Sequence, residues 1–451
     1  MVPTLYGLLM FLIGLFVSGQ GILYMAVIAT LFGGTAVAYA TALGGANVTP
    51  AMLAQGFTGL SLLRREGLKG FLRPIEFATP TFWLLVLTIW AMATAFVMPR
   101  LLQGQLMVAG FDRSDGAGAY LLGPLGPVSM NITQAMYAFL AFMTFIMMRT
   151  LLSRAGGYMV AARAVLWVAG LNVAAAVVEL AQHHLGLVPV LAYLKNANYA
   201  MMGGEVAGLM RITGTFPETS MFSQYTLGLV AFTHTLWMHG VLRGWARALT
   251  IANLLLLMMS TSGTAYVSLV ICMTVALLYT LWRQMRVGAI GPYSLYLKLA
   301  AGGLVLGIGV LLFVPPALDA VVEFFSVVIG QKWTSDSGSI RRALNAQAFQ
   351  TFLESFGLGA GLGCCRASSF PLVVLSNLGW VGALLFLFFV TPILFAKMPA
   401  DLPLEERVIA IGARRAVFAT LVSASLIALV YDLGFLFYIM AAIAYVAGRR
   451  P

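Results

Sequence analysis

Apolar runs long enough to cross a bilayer recur along almost the whole chain. They place spans near 4–18, 21–42, 79–98, 130–149, 162–181, 219–240, 248–260, 264–283, 296–315, 371–395, 415–431 and 433–447, about twelve in all. The first two runs are separated by Ser18-Gly19-Gln20-Gly21. The short first run either crosses alone or joins the second as one broken helix. The segment 44–78 differs, because Arg64, Arg65, Lys69 and Arg73 stand among Leu60, Leu63, Leu68 and Phe71. That mixture predicts a helix lying in the cytoplasmic interface. Two long connections remain, 182–218 and 316–370, and connections of that length usually carry structure or a task. In the second, Ile340, Leu344, Ala348 and Phe352 recur every four residues, which predicts an amphipathic helix over 339–355. Asp336, Ser337 or Ser339 is placed to cap its start. Gly357, Gly359, Gly361 and Gly363 then predict a flexible turn back to the membrane. The expected fold is all-α and polytopic, a single membrane unit over 1–451 with no internal repeat and no soluble domain.

Composition agrees with this pattern. The chain is 61% hydrophobic and only 9% charged, whereas soluble domains are nearer half apolar and a quarter charged. A net charge of +11 would suggest nucleic acid in a soluble protein; here it follows from arginines that flank spans, and no nucleic-acid partner is expected. With the N-terminus placed inside and the spans alternating, 18 Lys and Arg fall on the inner side and 8 on the outer. The positive-inside rule supports that orientation, with both termini cytoplasmic and both long connections outside. The N-terminus lacks the basic region of a cleavable signal peptide. Cys272, Cys364 and Cys365 form neither a disulfide framework nor a metal motif. No HExxH, CxxC or acidic cluster is present, so no metal and no cofactor is expected.

The candidate chemistry lies outside. Arg211 and Glu218 sit where the first long connection meets a span. A cation there binds an anionic head group without entering the bilayer core. Two readings stand side by side. Arg211 holds an anionic substrate and Glu218 activates a hydroxyl, or Arg211 snorkels to lipid phosphate and Glu218 offsets a helix dipole. Arg341 and Arg342 fall in the first turn of the expected helix, where cations oppose the dipole and so suit an anion site. The alternative pairs one of them with Glu354, Asp336 or lipid phosphate. His183 and His184 at a span exit, Glu205 beside a glycine pair, and Asp432 between the last two spans are further candidate bases on the outer side. A membrane histidine more often serves helix packing than chemistry.

These residues carry a family resemblance. Arg211-Ile212-Thr213-Gly214-Thr215-Phe216-Pro217-Glu218-Thr219-Ser220 is followed by a span, then by Ser260-Thr261-Ser262-Gly263-Thr264. Arg341-Arg342, Gly359-Ala360-Gly361 and Asn377-Leu378-Gly379-Trp380-Val381-Gly382 come next. The order resembles the superfamily of O-antigen ligases and Wzy-type polysaccharide polymerases over roughly 211–385. The resemblance implies a GT-C-like integral glycosyltransferase of the bacterial inner membrane that works at the periplasmic face. It implies an undecaprenyl-pyrophosphate-linked oligosaccharide as donor, membrane lipid as surroundings, and a flippase and chain-length regulator as partners. Arg211 with Arg341 or Arg342 would hold the pyrophosphate. In the ligases a histidine precedes the last of these motifs; here Ser368-Ser369 stand there. That favours a polymerase, metal-independent and inverting, with Glu218 preferred for acceptor activation. A ligase acting on lipid A–core, a lipid-linked glycan transporter and a non-catalytic assembly partner are the other classes.

Overall fold

The structure is a computed structural model that describes residues 1–41, 45–112, 119–198, 204–206, 209–287, 298, 302–303, 336–399 and 401–445. Apart from 298 and 302–303, the expected span 296–315 and the first part of the second long connection lie outside the described residues. Fourteen helices are described below: α1 (Leu5–Phe16), α2 (Gly21–Ile28), α3 (Pro50–Leu72), α4 (Pro80–Leu101), α5 (Ser129–Leu152), α6 (Gly157–Leu185), α7 (Val190–Leu194), α8 (Thr219–Met238), α9 (Arg243–Met259), α10 (Gly263–Val287), α11 (Asp336–Glu354), α12 (Phe370–Phe395), α13 (Leu404–Ile427) and α14 (Phe435–Tyr445). Among the described residues, six are long and apolar enough to cross a membrane: α4, α5, α6, α10, α12 and α13. The chain is mainly helical, as a membrane-embedded protein of this composition should be.

Local chemistry sets the ends of these helices. Pro80 opens α4 behind Thr79, whose hydroxyl accepts from the Phe82 N–H. Asn131 of α5 accepts from the Val128 N–H. Left-handed Gly156 and Gly186 bracket α6. The centre is aromatic and small-residue packing. Phe145, Phe389 and Tyr438 are fully buried, and the Phe145 and Phe389 rings meet edge to face with centroids 5.4 Å apart. α14 is buried on every side from Phe435 to Ala444, and α13 meets α8 through small residues. A Cβ on Gly412 would lie 3.2 Å from the Phe232 ring. Such close approach is how helices associate where no hydrophobic effect drives them together.

The bundle has two distinguishable ends. Glu179 lies about 33 Å along α6 from Gly157, at 1.5 Å per residue. The far end carries Arg149, Arg154 and Glu66, the last two joined by a 2.8 Å ion pair. The Arg211 end carries three short sheets, which the all-α expectation did not include. β1 (Val2–Pro3), β2 (Ala38–Ala40) and β3 (Ala46–Val48) form one antiparallel sheet. β4 (Met107–Asp112) pairs with β5 (Ala119–Pro124), and β6 (Glu205–Val206) with β7 (Leu209–Met210).

Several expectations need correction. The run 21–42 is not one span: helix ends by Leu31, and Gly33-Gly34 turn the chain into β2. Gly34 lies against the 215 peptide, accepting no side chain there, since a Cβ would sit 2.9 Å from the Thr215 carbonyl oxygen. α3 is not wholly interfacial. Its first half packs against α1, α2 and α5, and the continuous exposed stretch is the basic one from Leu63 to Lys69, which contains a break at Gly67. The first and last described residues do not share an end. Val2 pairs with Tyr39, whose hydroxyl donates to the Asn196 carbonyl at the Arg211 end, while Tyr445 stacks under Arg149 at the other.

The glycine run after α11 is no loose turn. Ala360 and Leu362 are fully buried, and the run is bonded to the break in α12 at Gly379. Ala360 N–H donates to the Ser376 carbonyl, Gly361 N–H to that of Asn377, and Trp380 N–H to that of Gly357, at 2.8–3.0 Å. Gly359 and Gly379 both have positive φ, and a Cβ on Gly379 would lie 2.3 Å from the Gly357 oxygen. α11 begins at Asp336, three residues before the expected start. Arg341 and Arg342 therefore occupy its second turn, beyond the free N–H groups of the first, so the dipole argument for an anion site does not apply to them. The side chains of Asp336 and Ser337, two of the expected caps, lie outside the described residues.

Candidate functional site

The loop 211–218 is held from beneath by one carboxylate. Glu179, in the last turns of α6, accepts from the Thr213 N–H at 2.8 Å and the Gly214 N–H at 2.6 Å through one oxygen. Its other oxygen accepts from the Thr213 hydroxyl at 2.5 Å and from Lys195 Nζ at 2.9 Å. Both partners of this ion pair are largely buried. Gly214 needs its positive φ to complete the turn. From the other side, Thr215 donates to the Leu31 carbonyl at 2.6 Å and accepts from the Gly34 N–H at 2.8 Å. The Phe216 ring lies 4.8 Å from that of Tyr225, whose hydroxyl meets Thr30 at 2.8 Å. The segment 29–36 is thus part of the platform under the loop.

Arg211 stands at the edge of this platform. Its N–H donates to the Gly204 carbonyl at 3.0 Å. Its side-chain Nε is buried and has no hydrogen-bond partner among the described residues. Burial pushes the guanidinium below its ordinary pKa; Glu218 opposes that shift and Arg341 adds to it. Arginine stays charged regardless. Two guanidinium groups and one carboxylate therefore share a single electrostatic neighbourhood, although Arg341 follows Arg211 by 130 positions.

Glu218 precedes α8 without capping it, and its carboxylate accepts from the Ser220 hydroxyl. Arg341 also reaches the end of α13, its Nη1 lying 3.4 Å from the Leu426 carbonyl oxygen. A cation is favourable there, so this contact is compatible with a purely structural role. Arg342 is exposed on the same turn of α11. Glu205 and His183 face each other at 3.7 Å and line a cleft with Arg211. His184 is exposed, edge-on to His183. Asp432 accepts from the Gly434 N–H at 2.9 Å and shapes the turn into α14; burial raises its carboxyl pKa. No contact among the described residues joins it to Arg211.

The cleft encloses about 350 Å³ and is lined by Glu179, His183, Lys195, Gly204, Glu205, Met210, Arg211, Thr213 and Pro217. Among the described residues no group of three His, Cys, Asp or Glu is placed to hold a metal ion. The Ser260–Thr264 motif is a buried turn packed against the first turns of α8, with Ser260 and Ser223 hydroxyls 3.4 Å apart. Neither Lys195 nor Glu179 is among the candidates that the sequence motifs single out. The available signal was Glu179 itself, an acid within an otherwise apolar span. No known family model matches the chain, and neither does any curated protein.

Proposed function

We propose that this protein is a membrane glycosyltransferase, a polysaccharide polymerase that moves an undecaprenyl-pyrophosphate-linked glycan onto a lipid-linked repeat unit. The observation that carries the reading is the half-buried Arg211 guanidinium, whose Nε is buried without a hydrogen-bond partner among the described residues, in the field of Glu218 and Arg341. Like charges held together in a partly desolvated place are costly, and a bound dianion relieves the cost. In this mechanism an acceptor hydroxyl oxygen attacks the anomeric carbon as the bond to the diphosphate oxygen breaks. The electron pair leaves with the diphosphate, whose growing charge Arg211 and Arg341 stabilise. The hydroxyl proton passes to the Glu218 carboxylate, and attack from the opposite face inverts the anomeric centre. Arg342 extends the cationic surface.

The accompanying placement is the bacterial inner membrane, in a GT-C-like arrangement with an odd number of spans, about eleven once the run 21–42 is set aside. The Arg211 end, and with it Val2, faces the periplasm. Arg64, Arg65, Lys69, Arg149 and Arg154 at the other end support that orientation, which puts the C-terminus in the cytoplasm. A flippase would supply the lipid-linked units, and a chain-length regulator would act as partner. One observation favours a transporter instead. Asn172, Thr226 and Asn253 form a buried polar contact between α6, α8 and α9.

Reconstitution with a defined lipid-pyrophosphate glycan separates these readings. A polymerase yields a ladder of products, a ligase yields single transfer onto lipid A–core, and a transporter moves the lipid-linked glycan unchanged. No ladder from folded protein overturns the proposal.

A further inference from the structure

The wall of the cleft away from Arg211 is unsuited to a diphosphate. It carries two carboxylates, Glu179 and Glu205, which repel a dianion. It is equally unsuited to a lipid tail, because Lys195, His183 and Thr213 alternate with those acids. Both Glu179 oxygens are already engaged by the 213–214 backbone, the Thr213 hydroxyl and Lys195. Glu205 is different. Its side chain is 56% exposed, and the His183 ring nitrogen stands at 3.7 Å, beyond a normal hydrogen bond. Glu205 and Arg211 are also fixed relative to each other. Glu205 pairs with Met210 across the β6–β7 hairpin, and the Arg211 N–H continues that ladder to Gly204. An acceptor and a donor that face each other across a polar, open space match a ligand whose groups both donate and accept. Sugar hydroxyls do both.

We infer that this cleft seats the sugar ring attached to the diphosphate, with Glu205 accepting from its hydroxyls and His183 hydrogen-bonding beside it. The inference rests on the reading that Arg211 grips the diphosphate, and it assigns the neighbouring cleft to the neutral part of the same donor. The two charge environments then sort the ligand: cations hold the leaving group, and the acid–imidazole pair orients the ring that carries the anomeric carbon. Glu205 and His183 act here as binding and orienting residues.

The test is binding to the full chain in lipid nanodiscs. The probes are undecaprenyl diphosphate and a panel of undecaprenyl diphosphates carrying one hexose or N-acetylhexosamine. Wild-type protein should bind at least one sugar-bearing probe more tightly than the bare diphosphate. Glu205→Gln and His183→Ala should each remove about tenfold of affinity for that probe, the loss expected for one hydrogen bond to a charged group. Both should leave the bare diphosphate within twofold. Arg211→Ala should weaken both classes of probe. Both side chains are substantially exposed, so the variants should fold, and thermal melting checks this. Equal losses on both probes, no loss on either, or a panel that never exceeds the bare diphosphate would overturn the sugar seat alone. Wild-type protein that ignores undecaprenyl diphosphate, or Arg211→Ala protein that binds it normally, would overturn the underlying reading.

Discussion

Replacing Glu179 with Ala should release the loop that positions Arg211. The substitution removes the acceptor of two buried backbone donors, the Thr213 and Gly214 N–H groups, together with the partner of Lys195. Each orphaned buried donor costs about 1–3 kcal/mol. Water can enter from the cleft, so the expected local cost is about 2–4 kcal/mol, toward the lower part of that sum. Lys195→Met leaves the backbone grip intact and should cost about 1–2 kcal/mol. The two changes act on one unit, so the double variant should cost less than the sum of the singles by about 1 kcal/mol or more. Hydrogen exchange reads this directly. A local opening cheaper by about 2–4 kcal/mol accelerates exchange of the 213 and 214 amides by roughly 30- to 1000-fold. Amides in the middle of α5 should be unaffected. Unchanged exchange in Glu179→Ala, or strict additivity in the double variant, would refute the clamp.

Three other outcomes follow from the geometry. Gly379→Ala and Gly359→Ala should each abolish the folded protein, because both positions combine positive φ with a Cβ placed under 3 Å from backbone; Gly126→Ala, which meets nothing within 4 Å, should melt like wild type. With Cys272 replaced, cysteines at positions 2 and 105 should react with an impermeant maleimide from the same side of the membrane, and a cysteine at position 69 only from the other. Asp432→Asn should melt higher than wild type at neutral pH. Its folded carboxyl pKa is raised, so the ionised form weakens the fold, and the penalty should shrink as pH falls and the carboxyl protonates; equal or lower melting at pH 7 would contradict this.

Much of the architecture can be read from periodicity. The runs at 79–98, 130–149, 162–181, 264–283 and 371–395 are long apolar helices, and the four-residue spacing around Leu344 and Ala348 marks the buried face of α11. The N-terminal arrangement resisted the same reasoning for a specific reason. Arg64 is the first charged side chain, so charge bias is blind to how residues 1–63 cross or turn. Hydropathy cannot separate a span from the uncharged strand and turn that follow α2. The glycine run was misread because its partner, the α12 break at Gly379, is a backbone surface with no signature in side-chain type. Arg211 stands out as a rare charge near a span, but the carboxylate beneath its loop is a long-range contact that spacing cannot supply, and only the family resemblance pairs Arg211 with Arg341 or Arg342.

Shared grip by Arg211 and Arg341 is the point on which the functional reading turns, and a double-mutant cycle on polymer synthesis by reconstituted protein tests it. Arg211→Ala and Arg341→Ala should each abolish laddering of a lipid-pyrophosphate glycan while the protein remains folded. Residual single-turnover rates in the double variant should be little below those of either single, as expected of residues that hold one leaving group together. Wild-type-length polymer from Arg211→Ala, or losses that simply multiply, would contradict it.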